Sequence, residues 1–143
     1  MRVPMKVDYG VRALVDLALH YGEGPVQTAE IAYRQGIPEA YLDQLMTTLN
    51  KFGFVFSRRG PQGGHRLASD PVDIDLGMVM KTLDGSSSPL DCLTNPLDCV
   101  FSDSCAQQEV WKAVEEAIQN VLSDISLADL VRRQRLLAPE AVS

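Results

Sequence analysis

The chain has 143 residues, 45% of them hydrophobic and 22% charged, which is enough apolar material for one folded domain and too much for a disordered chain. Its formal net charge of −6 argues at first sight against a nucleic-acid binder, which is usually basic. No window approaches the roughly 18 apolar residues of a membrane span, and the N-terminal Met-Arg-Val-Pro-Met-Lys-Val-Asp lacks an export signal, so a cytoplasmic protein is expected.

The charge is unevenly spread. Residues 1–43 carry four bases and six acids, whereas residues 44–69 carry Lys51, Arg58, Arg59 and Arg66 and no acid. Residues 70–130 set twelve acids against Lys81 and Lys112, and residues 131–143 hold three Arg and one Glu. A short basic island therefore sits inside an acidic protein.

In chain order, residues 7–21 place Val7, Val11, Leu14, Leu17, Ala18 and Tyr21 at helical spacing, with Asp8 in the favourable first turn. Gly22-Glu23-Gly24-Pro25 stops that helix, and Thr28 offers a cap hydroxyl for a short helix through Gln35. Gly36-Ile37-Pro38 then leads into a helix over roughly 38–52, with Tyr41, Leu42, Leu45, Leu49 and Phe52 on one side. Two short helices about a glycine-containing turn form a helix-turn-helix pattern, which many non-DNA-binding proteins also contain.

The next segment points more sharply. Phe54 to Arg59 reads as a strand, Gly60-Pro61-Gln62-Gly63-Gly64 as a tight turn, and His65 to Ala68 as the returning strand. A hairpin directly after a helix-turn-helix is the wing of a winged-helix domain, and the basic island coincides with it. Arginines supply charge and bidentate donors, and glycines let the backbone approach phosphates. Thr28, Lys51, Arg58, Gly63, His65 and Arg66 are candidate DNA contacts on this reading. The alternative is a solvated hairpin with scattered arginines.

Residues 70–84 read as a linker and a short helix whose Leu76, Val79, Met80 and Leu83 pack on the first domain. Residues 85–105 lose periodicity and contain all three cysteines, Cys92, Cys99 and Cys105. A loop of about 20 residues is uncommon in a compact domain and is usually functional. The six- and five-residue gaps contain no CxxC pair, which disfavours a zinc knuckle or a thioredoxin-type redox motif. Three thiolates in a short polar loop can instead converge on a soft metal centre, an iron–sulfur cluster or, as the alternative, zinc. A fourth ligand is then missing. His20, His65, Asp91, Asp98, Asp103, Gln108, Glu109 and a side chain from a second subunit are all candidates.

A helix over 107–123 carries Trp111, Val114, Ile118, Val121 and Leu122, with Ile125 beyond, along one face. Such a stripe needs a partner, either a second copy of the chain or the rest of the same molecule. A last short helix starts at Ser126, and a tail is expected from about residue 136. The expected organisation is a winged helix-turn-helix domain (1–84), a cysteine loop (85–106), a dimerisation helix region (107–135) and a tail (136–143). The fold class is mainly α with a small β-hairpin wing.

The order of parts resembles the IscR/NsrR/RirA-type family of winged-helix transcriptional regulators, over essentially the whole chain to about residue 135. The likeness is carried by Tyr-Gly-Val-Arg-Ala-Leu-Val-Asp-Leu-Ala, by Gly-Ile-Pro-Glu-Ala-Tyr-Leu-Asp-Gln-Leu, by Arg-Gly-Pro-Gln-Gly-Gly-His-Arg-Leu and by the three-cysteine loop. The resemblance implies a homodimer on double-stranded promoter DNA, with recognition helices in adjacent major grooves and wings along the minor groove. The family's contact positions map to Tyr41, Asp43 and Gln44 on the helix and to Arg59, Gly60 and Pro61 in the wing. It implies an iron–sulfur cluster on Cys92, Cys99 and Cys105. The histidine that one branch uses as fourth ligand is replaced here by Gln108, a poor iron ligand. Another branch uses an aspartate from the partner's first helix, and Asp8 stands at the matching position. That favours a four-iron cluster, with a two-iron cluster as the alternative.

The function implied is a repressor whose operator affinity follows cluster status, nitric oxide, redox or iron. A small iron–sulfur electron-transfer or cluster-biogenesis protein is the alternative from another class, and a metal-free winged-helix protein a third. No Ser-His-Asp, P-loop or dinucleotide pattern occurs, so an enzyme is not expected.

Overall fold

A computed structural model describes residues 2–85 and 105–139. Cys92 and Cys99 lie outside the described residues, as does most of the cysteine loop. The described elements are helices α1 (Met5–Leu19), α2 (Thr28–Gln35) and α3 (Glu39–Lys51), strands β1 (Val55–Arg58) and β2 (Gly64–Leu67), and helices α4 (Leu76–Asp84), α5 (Ala106–Ser123) and α6 (Leu127–Leu137). This is the mainly helical, winged arrangement expected from the sequence.

α1 forms the spine. Its spaced apolar residues Val7, Ala13, Leu14, Leu17 and Ala18 are buried, and they meet Ile31, Leu42, Leu45, Leu49, Val79 and Leu83 from the other helices in one core. Gly10 makes the close approach to α4, since a Cβ there would lie 2.5 Å from Leu83 Cδ1. The helix begins two residues before the expected Val7, straight after extended Pro4, and it ends at Leu19 rather than Tyr21. His20 turns back at that end, with Nδ1 2.8 Å from the Asp16 carbonyl oxygen.

Among the described residues, one charged side chain lies in the core. Asp16 is 1% exposed, and Arg34 of α2 clasps it with Nε and Nη2 at 2.9 and 2.8 Å, while Gln35 Nε2 adds a third bond at 3.0 Å. A buried carboxylate is tolerable only when paired and hydrogen-bonded in this way, and the clasp fixes α2 against α1. Hydrogen bonding to Asp16 also raises the Arg34 guanidinium pKa above its ordinary value, with burial working the other way. α2 then stops at Gly36, whose φ of 65° is left-handed, and the chain turns into α3 through Pro38.

The two strands pair antiparallel from Val55↔Leu67 to Arg58↔Gly64. After them, Asp70 caps a 3-10 turn at Pro71–Asp73 and Asp75 caps α4 by accepting from the Met78 amide at 2.8 Å. The chain returns at its other end: the Leu127 amide donates to the Ile74 carbonyl at 2.8 Å and the Leu76 amide to the Ile125 carbonyl at 2.9 Å. A capping box at Ser126 and Asp129 starts α6, which buries Leu127 and Val131 in the same core as α1. α5 behaves differently, for none of its 18 residues is buried. Its C-terminal end packs on α4 at Gly77, where a Cβ would lie 2.6 Å from Ser123 Oγ.

Candidate nucleic-acid interface and cluster ligands

The helix-turn-helix places Asp43 and Gln44 on the exposed side of α3, while Leu42, Leu45, Met46 and Leu49 face the core. Tyr41 is half-buried. Its ring packs edge-on against Tyr9 at 5.6 Å between centroids, and with Gln44, Thr48, Phe52 and Lys6 it borders a cavity of about 470 Å³. Lys51 ends α3 exposed, its ammonium 5.8 Å from the centroid of the Phe52 ring.

The wing displays Arg58, Arg59, Gly60 and Pro61 at its exposed tip. Gly60 has φ 102°, a conformation other residues rarely adopt, and its carbonyl accepts from the Gly63 amide at 2.9 Å to close the turn. Arg66 is exposed too, and its guanidinium lies 5.6 Å from the ring centroid of Phe56, the residue directly across the strand pair. That contact holds the charge out over the outer face of the hairpin.

Three of the residues proposed from sequence as DNA contacts have other partners. Gly63 is buried, and a Cβ there would lie 2.0 Å from the Arg58 carbonyl oxygen, so its glycine is required by the turn itself. Its carbonyl accepts from Gln27 Nε2 at 2.6 Å. His65 is part-buried with both ring nitrogens engaged, Nε2 2.6 Å from Thr28 Oγ1 and Nδ1 2.7 Å from Ser57 Oγ. Burial pushes the His65 pKa below its ordinary value, and the nearby Asp43 carboxylate opposes this. Thr28 does not cap α2 as expected; Gln27 precedes the helix without a side-chain cap, and the Thr28 hydroxyl is turned toward the wing.

Sequence patterning also missed a third partner of the hairpin. Val26 and His65 exchange both backbone hydrogen bonds at 2.8 Å, adding a single-residue rung to the wing. One isolated Val between Pro25 and Gln27 carries no alternation that could announce it.

The proposed cluster ligands are only partly described. Cys105 heads α5 as a free, part-exposed thiol. Asp8 sits in the first turn of α1, where Arg12 holds both its carboxylate oxygens. Among the described residues, no group of three or more His, Cys, Asp or Glu side chains is gathered for a metal. Asp8 also borders a largely apolar cavity of about 660 Å³ along α1, with Val11, Val15, Met80, Leu122 and Leu130 among its lining. Among the described residues, no helix is long and apolar enough to cross a membrane.

Comparison with known proteins agrees with this architecture. Residues 3–133 match the Rrf2 family, described as an iron-dependent transcriptional regulator. The HTH-type transcriptional regulator IscR of Serratia proteamaculans (strain 568) is 41% identical over 137 residues, covering 96% of this chain and 83% of that protein. The structure of T. potens IscR superposes with a TM-score of 0.76 at 41% identity, covering 93% of this chain and 88% of that one. The structure of CymR (YrzC), the global cysteine regulator of B. subtilis, gives a TM-score of 0.80 at 32% identity, over 93% of this chain and 98% of that one.

Proposed function

The chain belongs to the Rrf2 family of transcriptional regulators, and from that premise we propose a homodimeric repressor whose hold on promoter DNA is set by an iron–sulfur cluster. Like its relatives it is an IscR-type transcriptional regulator with a DNA-binding fold, and not an enzyme.

One observation carries the DNA reading. Lys51, Arg58, Arg59 and Arg66 are all exposed at the end of α3 and on the wing, within a 26-residue stretch that contains no acid. Phosphates would be met by this cluster, while Asp43 and Gln44 on the exposed face of α3 and Tyr41 beside them meet base edges or the backbone in the major groove. The global charge of −6 works against non-specific binding elsewhere on the surface.

The cluster reading rests on the chemistry of the donors. Cys92, Cys99 and Cys105 would supply three thiolates, and Asp8 of a second subunit the fourth position. When bound, a four-iron cluster (or a two-iron one) supplies a linkage that nitric oxide, oxygen or iron scarcity can undo. The chain's own residues give that linkage leverage. Arg12, which grips Asp8, also donates from Nη1 to the Gln35 carbonyl at the end of α2, at 3.3 Å. Whatever recruits the Asp8 carboxylate therefore disturbs a contact to the helix-turn-helix. The unburied stripe of α5 is the proposed dimer surface, since it leaves Val110, Trp111 and Val121 exposed.

The experiment is binding to a duplex from the chain's own promoter at several salt concentrations. The logarithm of affinity should fall linearly with that of salt, and Arg59→Ala should lower the slope by about 1. Binding that ignores salt, beside a normal cluster spectrum, would favour the electron-transfer alternative.

A further inference from the structure

Val26 and Gln27, which lead into α2, and Thr28, its first residue, are each fastened to the wing, either at Gly63 just before β2 or at His65 within it. Val26 exchanges backbone hydrogen bonds with His65, Gln27 Nε2 donates to the Gly63 carbonyl, and Thr28 Oγ1 lies 2.6 Å from His65 Nε2. On the other side of the ring, Nδ1 lies 2.7 Å from Ser57 Oγ, the residue paired with His65 in the strand register. Asp43 on α3 is the charge that acts on the ring. A single imidazole thus touches α2 and both strands of the wing and senses α3.

We propose that His65 is a positioning residue for DNA binding: held between Thr28 and Ser57, its ring fixes the wing against α2 so that both reach the phosphate backbone as one unit. The inference rests on the DNA-binding reading above. A two-stranded ribbon is marginally stable by itself, so its direction is set by what it is tied to. The Nδ1 bond to Ser57 stays within the wing, and the Nε2 bond to Thr28 crosses to the helix-turn-helix; the second is the lock. A neutral imidazole has one N–H and one lone pair. One of the two hydroxyls must therefore donate into the ring, while the other accepts and keeps its own proton free to donate outward. The ring's tautomer consequently decides whether Thr28 or Ser57 can offer a hydroxyl proton to a phosphate.

The test compares His65→Phe, His65→Gln and His65→Asn by hydrogen–deuterium exchange of the wing amides and by affinity for the promoter duplex. The phenyl ring keeps the packing and loses both bonds, so exchange across β1 and β2 should quicken and affinity should drop about tenfold. The glutamine amide reaches the place of Nε2 and should restore much of both readouts, whereas asparagine reaches only that of Nδ1 and should not. A His65→Phe protein with wild-type exchange and affinity, or Gln and Asn variants that behave alike, overturns the proposal. If His65→Phe does not fold, Thr28→Val removes the crossing bond from the other side and must loosen the wing equally; an unchanged wing overturns the lock. Wild-type protein that does not bind the promoter would sink the DNA reading instead, while the exchange data still judge the lock.

Discussion

Arg12 and Asp8 stand one helical turn apart on α1, and the guanidinium grips both carboxylate oxygens, Nε to Oδ1 at 3.1 Å and Nη2 to Oδ2 at 3.2 Å. Both side chains are close to half exposed, so the pair contributes only about 0–1 kcal/mol to stability. Asp8 can therefore change partners at little cost, which suits a carboxylate offered to iron across a dimer. Asp8→Ala should leave the fold intact, with its midpoint of urea unfolding close to wild type. It should alter the absorbance or shorten the lifetime of the cluster in anaerobically purified protein. Wild-type absorbance and lifetime in that variant would remove Asp8 from the ligand set.

Asp16 is the opposite case. Its carboxylate is buried, and removing Arg34 leaves it with the Gln35 amide as hydrogen-bond donor and the His20 ring nitrogen 3.7 Å away. Arg34→Met should cost about 2–4 kcal/mol in urea unfolding, less than a fully orphaned charge because Gln35 stays. A loss below about 1 kcal/mol would mean that the clasp does not hold α2 to α1.

The same contrast shows what the sequence made legible. Helix-turn-helix, wing and basic island were all readable, because apolar spacing, Gly36-Ile37-Pro38 and the glycine-rich turn are local signals. Asp16 was not, since a lone carboxylate between Val15 and Leu17 does not announce its partner, which lies 18 residues on. The rung at Val26 and the redirection of Thr28 toward His65 were hidden for the same reason: each is a contact between segments more than 35 residues apart. Gly63 was read as a way to approach phosphates, whereas the Arg58 carbonyl behind it is what demands the missing side chain.

His65 gives the pH dependence. Burial holds its pKa below the ordinary value, so the unfolded chain binds the proton more readily than the folded one. Its contribution is fully present above about pH 6.5 and declines as pH falls below that value toward the folded-state pKa. Unfolding midpoints measured from pH 8 down to pH 5 should fall more steeply for wild type than for His65→Phe. Parallel curves would show that the ring does not titrate with folding.

The α5 stripe makes a prediction about assembly. Ile118 is half-buried in the single chain and Trp111 is exposed, so a charge at either position harms a dimer more than a monomer. Trp111→Glu should shift sedimentation from dimer to monomer at micromolar protein while circular dichroism keeps its helical signal. A dimer that survives this substitution and Ile118→Glu would place the contact elsewhere.

If cluster status governs DNA binding, the two must change together in one titration. Protein purified without oxygen is titrated against its own promoter duplex before and after exposure to nitric oxide, with the visible spectrum followed in the same cuvette. The expected result is a coloured protein whose absorbance bleaches and whose promoter affinity changes by about tenfold or more, a coupling within the usual range for linked sites. A colourless protein without iron or sulfide, or an affinity that stays constant while the spectrum bleaches, would contradict it.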